Sequence, residues 1–210
     1  MTSGQKRRAY AARVPAEQRR SELLDAALHL VVAQGHHAAT MDAVARQAGV
    51  TKPVIYGVFT SRAELLATLL RREQNEALKQ LLAALPDRLE QRLREEPADL
   101  LAHVLTAFLD SVRESADRWH CVVLPMPDMP AEFHAARERA RALVLKQVEN
   151  MTQTLVDSGT VPAGLDAGIL AHTVITLFEM AARLVLTDPE HFQPSRFLTT
   201  LRTAVGLATA

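Results

Sequence analysis

Apolar residues recur at three- and four-residue spacing along most of this chain, broken by proline and glycine rather than by alternating stretches. That rhythm predicts an all-α protein, and it is sharpest between Thr40 and Leu66. There Met41, Val44, Ala45 and Ala48 share one face of a short helix that Thr40 can cap and Asp42 supports through the helix dipole. Gly49 supplies the freedom a tight turn needs. A second short helix starts near Thr51 to Pro53 and buries Ile55, Val58 and Phe59. With Thr51 as its cap, Pro53 falls in the first turn, where its missing N–H costs nothing. With Lys52 as the cap, Pro53 is the first helical residue, a position proline favours. The sequence permits both. Ser61 and Glu64 form an S-x-x-E capping box, so a third helix begins at Arg62 and the second is only about two turns long.

Farther along, proline and glycine divide the rest into helices. One runs from Arg62 to about Leu85, stopped by Pro86; Asp87 to Glu95 continues it or forms a short turn. Pro97 opens another, with Leu101, Leu105, Phe108, Leu109 and Val112 on one face. Asp117 to Leu124 is short and apolar, and the loop PMPDMP follows it. Ala131 to Ser158 carries a periodic stripe that includes Phe133, Leu143, Val144 and Met151, and Gly159 stops it. Leu165 to Thr187 is almost wholly apolar, and Ser195 to about Leu207 is the last helix.

Two short helices about a glycine turn are a DNA-reading device when the second keeps a suitable outer face. Here Lys52, Pro53, Val54, Tyr56, Gly57 and Thr60 stay outside. They offer donors for phosphate, small groups for close approach and apolar groups that can meet a thymine methyl. Glycine within a helix costs about 1 kcal/mol relative to alanine, a cost easier to understand if DNA comes close at Gly57. Charge points the same way. The chain has 24 basic and 24 acidic residues, yet residues 1–62 hold nine Lys or Arg against four acids, leaving +5 there and −5 on the remainder. A basic head on an acidic body suits a protein that meets phosphates at one end. Arg8 in the polar leader (residues 1–14, read as disordered until it meets DNA), Arg20 on the first helix and Thr51 complete the candidate DNA contacts.

The run LLDAALHLVVAQG, TMDAVARQAGV, IYGVF and SRAELL, from about Arg20 to Leu66, resembles the N-terminal domain of the TetR family of bacterial transcriptional regulators. Departures are His36, Val58, Arg62 and the Lys52-Pro53 pair. The resemblance implies phosphate contacts for Thr40, Tyr56 and Arg62, and proximity to bases for Lys52, Pro53, Val54 and Gly57. It implies a helix-turn-helix domain over residues 15–62 and a larger helical ligand-binding and dimerisation domain over 63–210. It further implies a repressor that binds a double-stranded palindromic operator as a homodimer, joined through its last two long helices as a four-helix bundle.

Several residues of the body bear on that expectation. The helix from Leu165 is apolar around too much of its circumference to serve a single core, which fits burial against a partner as well. Effector candidates are Phe108, Trp119, Met126, Phe133, Met151 and Met180, together with His172, Thr176 and Glu179 of a polar stripe. Glu179 and Arg183, four apart, either pair with each other or orient a ligand. A small, mostly apolar effector is the expectation. No histidine or cysteine spacing matches a metal site, no nucleophile elbow or phosphate-cradling glycine loop is present, and no cofactor is implied. The competing reading is a helical carrier of small molecules that controls no operator. With one cysteine, no apolar run near the ~20 residues that span a bilayer, and no signal-peptide core, the expected setting is the cytoplasm.

Overall fold

The computed structural model describes residues 15–124, 128–159 and 164–208, and the leader expected to meet DNA, with Arg8, lies outside them, as does Met126. Among the described residues ten α-helices follow one another: α1 Ala16–Gln34, α2 Met41–Gln47, α3 Lys52–Tyr56, α4 Arg62–Ala83, α5 Leu89–Glu95, α6 Pro97–Glu114, α7 Ala116–Val123, α8 Ala131–Asp157, α9 Ala167–Thr187 and α10 Pro194–Ala208. No strand occurs among the described residues.

The helix ends follow their capping residues. Thr40 accepts a hydrogen bond from Ala43 N at 3.1 Å and starts α2. Ser61 accepts one from Glu64 N at 3.2 Å and starts α4, but the return arm of the expected box goes elsewhere. The Glu64 carboxylate takes the backbone N–H and hydroxyl of Thr60, at 2.8 and 2.7 Å, which holds its pKa below the usual carboxylate value. Asp166 caps α9 through Ile169 N. Gly35 and Gly49 end their helices at φ of 89° and 66°, where a side chain would be strained. Asp87 to Glu95 does not prolong α4. Arg88 adopts φ 56°, and α5 is a separate helix.

Two apolar clusters organise the molecule. The first joins Leu23, Leu24, Ala27 and Val31 of α1 to Val44, Ile55, Phe59 and the Leu65–Leu70 stretch of α4. Cys121 of α7 and Phe133 of α8 belong to it as well, so head and body share one core. The second lies within the body around Leu105, Phe108, Leu109 and Val112 of α6, Trp119 of α7, and Ala181, Ala182 and Val185 of α9.

The outer side of the body departs from the periodic reading. Leu143, Val144 and Met151 of the periodic stripe on α8 are exposed, as are Ile169 and Met180 of α9. Leu143 is 72% and Ile169 67% exposed. A helix with apolar positions on two sides fills its own core with one and presents the other. α10 packs on α6, and the outward apolar residues lie on α8 and α9 and, as Leu78, Leu82 and Leu85, toward and just beyond the end of α4. α9 is in fact long and apolar enough to cross a membrane by length and composition, unlike the sequence expectation, yet it packs against α6, α7 and α8.

Candidate nucleic-acid interface

The reading surface is built from beneath. Ile55 and Phe59, both fully buried, anchor α3 against α1, α2 and α4, which turns the remaining positions outward. The turn before it closes through Val50 N to Ala45 O at 2.9 Å. Thr51 then takes extended backbone, so it is the N-cap, Lys52 is the first helical residue and Pro53 the second. Its hydroxyl makes no capping bond. α3 is shorter than expected: Gly57 is not inside the helix but ends it, at an ordinary φ of −75°. Any Cβ there would sit 3.3 Å from Pro53 O, tighter than ordinary contact.

Thr51, Lys52, Pro53, Val54, Tyr56, Gly57 and Thr60 are brought together as one exposed surface, with Val54 38% and Tyr56 52% exposed. A large phenol and an isopropyl group held open to solvent on a short rigid helix can meet base edges or sugars. Lys52 Nζ lies 2.5 Å from the Asp42 carboxylate of α2, which raises the lysine pKa through their hydrogen bond. Arg46 and Gln47 of α2 are exposed too, and Arg46 entered the sequence reading only through its charge.

Two of the expected phosphate ligands have other partners. The Arg20 guanidinium lies 4.6 Å from the centre of the Phe59 ring and points toward Val58 O and Thr68 Oγ1, both at 3.5 Å. Arg62 donates from Nε to Ala39 O at 3.1 Å and from Nη2 to His36 O. Both arginines are partly buried and brace the head from inside. Their partners are carbonyls and a ring distant in sequence, which no local spacing reveals.

The head is also tied to the body by polar contacts. Arg72 of α4 meets Asp25 of α1 at 2.7 Å and the buried carboxylate of Glu73 at 2.6 Å. Arg118 of α7 meets the other Glu73 oxygen at 3.1 Å. On the opposite side Asp128, in the loop before α8, accepts from the backbone N–H of His37 at 2.6 Å and lies 2.9 Å from its Nδ1. Those bonds pull the Asp128 pKa down to about 2. His36, fully buried beside them, packs edge-on against Phe133 with centroids 4.5 Å apart. Neither of its ring nitrogens has a hydrogen-bond partner among the described residues. Burial lowers its pKa, with Asp128 opposing and Arg62 assisting.

The effector candidates divide into separate places. Phe108 and Trp119 sit edge to face in the body core at 4.9 Å, with Phe178 5.2 Å from Phe108. Phe133 belongs instead to the joint between head and body. Met151 and Met180 are exposed. His172 and Thr176 line an open groove with Glu149, Asp166, Ile169 and Thr173. Glu179 does not pair with Arg183; it makes a two-pronged bond with Arg141 of α8, at 2.6 and 3.1 Å, because the neighbouring helix offers the closer guanidinium. Among the described residues no group of three His, Cys, Asp or Glu side chains is arranged to hold a metal.

With this geometry in place, resemblance to known proteins becomes informative. The sequence pattern of "Bacterial regulatory proteins, tetR family" matches residues 23–69, from within α1 to the first turns of α4. The HTH-type transcriptional regulator SrpR of Pseudomonas putida is 30% identical over 153 residues, covering 72% of this chain and 67% of that protein. The chain belongs to the TetR family. The TetR-family head is therefore a helix-turn-helix DNA-binding domain, with α2 and α3 as its two helices. The HTH-type transcriptional activator FasR of Mycolicibacterium smegmatis is 32% identical over 130 residues, 60% of this chain, and the match spans 57% of that relative's length. A TetR-like transcriptional regulator from Rhodococcus sp. RHA1 shares the fold, with a TM-score of 0.71 at 23% identity over 94% of this chain and 100% of that one.

Proposed function

We propose that this TetR-family protein is a ligand-responsive transcriptional regulator that binds a palindromic operator as a homodimer and is released from it by a small, mostly apolar molecule. The observation that carries the reading is the exposed surface of α3, where Val54 and Tyr56 stand open above a fully buried Ile55 and Phe59. Thr40, Thr51, Lys52, Pro53, Val54, Tyr56 and Gly57 are the proposed contacts, with Arg8 of the leader reaching phosphates from the flank, while Arg20 and Arg62 hold this surface from beneath.

The second copy is proposed to cover the exposed apolar surface of α8 and α9, including the groove beside Ile169, His172 and Thr176. A symmetric pair then sets two heads on half-sites about one DNA turn, ~34–36 Å, apart. The effector is proposed to enter around Phe108, Trp119 and Phe178. Trp119 Nε1 and Gln80 Oε1 are buried without a partner among the described residues, and they supply the polar anchors an otherwise apolar ligand needs. Motion reaches the heads through α4, whose Arg72 and Glu73 bond to α1 and α7. Repression is the reading the family resemblance favours. The activator named among the relatives supports the opposite sign, which the position of the operator in its promoter decides.

Selection of genomic fragments by the purified protein tests the proposal. A palindromic site whose affinity falls steeply with salt is the expected result. Binding without sequence preference, or affinity for apolar ligands with no DNA binding, would favour a carrier instead.

A further inference from the structure

Lys52 is the sole lysine or arginine in residues 51–60, the whole of α3 and its flanks. Its ammonium lies 2.5 Å from Asp42, and the two side chains are 65% and 49% exposed. An ion pair so open to water adds little to stability. The apolar contacts of Val44, Ile55 and Phe59 already join α2 to α3. The consequence of the pair lies outward, on the surface that meets DNA.

A free lysine is a compact charge on a flexible stem, able to find a phosphate in almost any register. Such contacts set sequence-independent affinity and its salt dependence. Asp42 cancels that charge at the start of α3. It also takes one of the three ammonium donors and so fixes the direction of the other two. Two donors held in place on a helix that enters the major groove suit the O6 and N7 acceptors of a guanine. The remaining reading groups, Pro53, Val54, Tyr56 and Gly57, carry no charge at neutral pH. The face of α3 is thus electrically neutral and depends on fit.

We infer that Asp42 is a specificity-determining residue of the DNA interface: it withholds Lys52 from indiscriminate phosphate contact and aims it at a base edge. The inference rests on α3 being the helix that reads the operator.

Full-length wild type, Asp42→Asn, Lys52→Ala and the double variant are titrated over a range of salt against the duplex recovered by genomic selection and against a scrambled duplex. Asp42→Asn is expected to bind the scrambled duplex more tightly, with a salt slope steeper by up to about 0.9 per head. Its preference for the recovered duplex falls at least about five-fold. Both changes disappear when Lys52 is alanine. An unchanged slope and preference would overturn the inference, as would the same changes in the absence of Lys52. Weaker binding to the recovered duplex alone, with scrambled binding untouched, would make Asp42 itself the base reader and overturn it too. A wild type without any preference overturns the reading of α3 as well; preference intact in both wild type and Asp42→Asn overturns only the role of Asp42.

Discussion

In the head, short helices are fixed by local devices, whereas in the body long helices rely on broad apolar faces and one of those faces stays uncovered. α2 and α3 have seven and five residues, too few to persist alone, and a Thr40 cap, a Gly49 turn and two fully buried anchors hold them. Their outward positions carry charged, polar and aromatic side chains together with Pro53 and Val54. α8 and α9 are 27 and 21 residues long and leave leucine, isoleucine and methionine in water. On the proposed function the head is complete within one chain, and a second copy completes the body. Rigidity near the bases and apolar adhesion near the partner are different requirements, and the two regions divide them.

The largest expected effect comes from Phe59→Ala, which empties the centre of the head and removes the ring under Arg20, at a cost of roughly 3–5 kcal/mol. Because Cys121 and Phe133 share that core, denaturant unfolding should remain a single transition at lower midpoint. Two separated transitions would show that head and body are not one cooperative unit. Next, Leu143→Glu combined with Ile169→Glu should turn the dimer into a folded monomer by sedimentation, with operator affinity reduced roughly 100-fold or more through lost bivalency. A dimer of unchanged mass would put the interface elsewhere.

The pH response separates the two sides of the joint. Burial lowers the pKa of His36 in the folded state, so the unfolded chain binds the extra proton first. The stability due to neutral His36 is therefore full above about 6.5, the unfolded value, and is lost as pH falls through its lower folded value. Asp128, at about 2 when folded, keeps its contribution until far more acid conditions, losing it below 3.8 as pH falls toward 2. The melting temperature of wild type should fall between pH 7 and 5, and His36→Phe should flatten that fall; parallel curves would sink the assignment. Thr40→Ala should cost about 1 kcal/mol through the lost cap, measured by chemical denaturation. Tyr56→Ala should change stability least, within about 0.5 kcal/mol, while weakening operator binding in titrations; unchanged affinity would remove Tyr56 from the contact set.

What could be read in the sequence follows from how far apart the interacting residues lie. Thr40, Gly49, Ser61 and the periodic apolar positions act within one or two turns, so α2 and the start of α4 were legible almost to the residue, whereas α3 was expected longer, with Gly57 inside it. The tasks of Arg62, Arg20 and Phe133 were not. Arg62 serves carbonyls more than twenty positions away, and Phe133 crosses from α8 to meet His36 edge-on. Glu179 had an obvious partner one turn along its own helix, yet Arg141 from the neighbouring helix took it, which only packing decides. The apolar stripe of α8 was visible, but periodicity alone does not tell a face turned to its own core from one turned outward.

Hydroxyl-radical footprinting of the wild-type protein on its selected genomic site tests the central claim most directly, since it reports head contact and subunit pairing together. Two equivalent protected patches on one side of the duplex, centred about one turn apart, are the predicted result. A single patch, or protection with no fixed position, would contradict a regulator whose paired heads read DNA through α3.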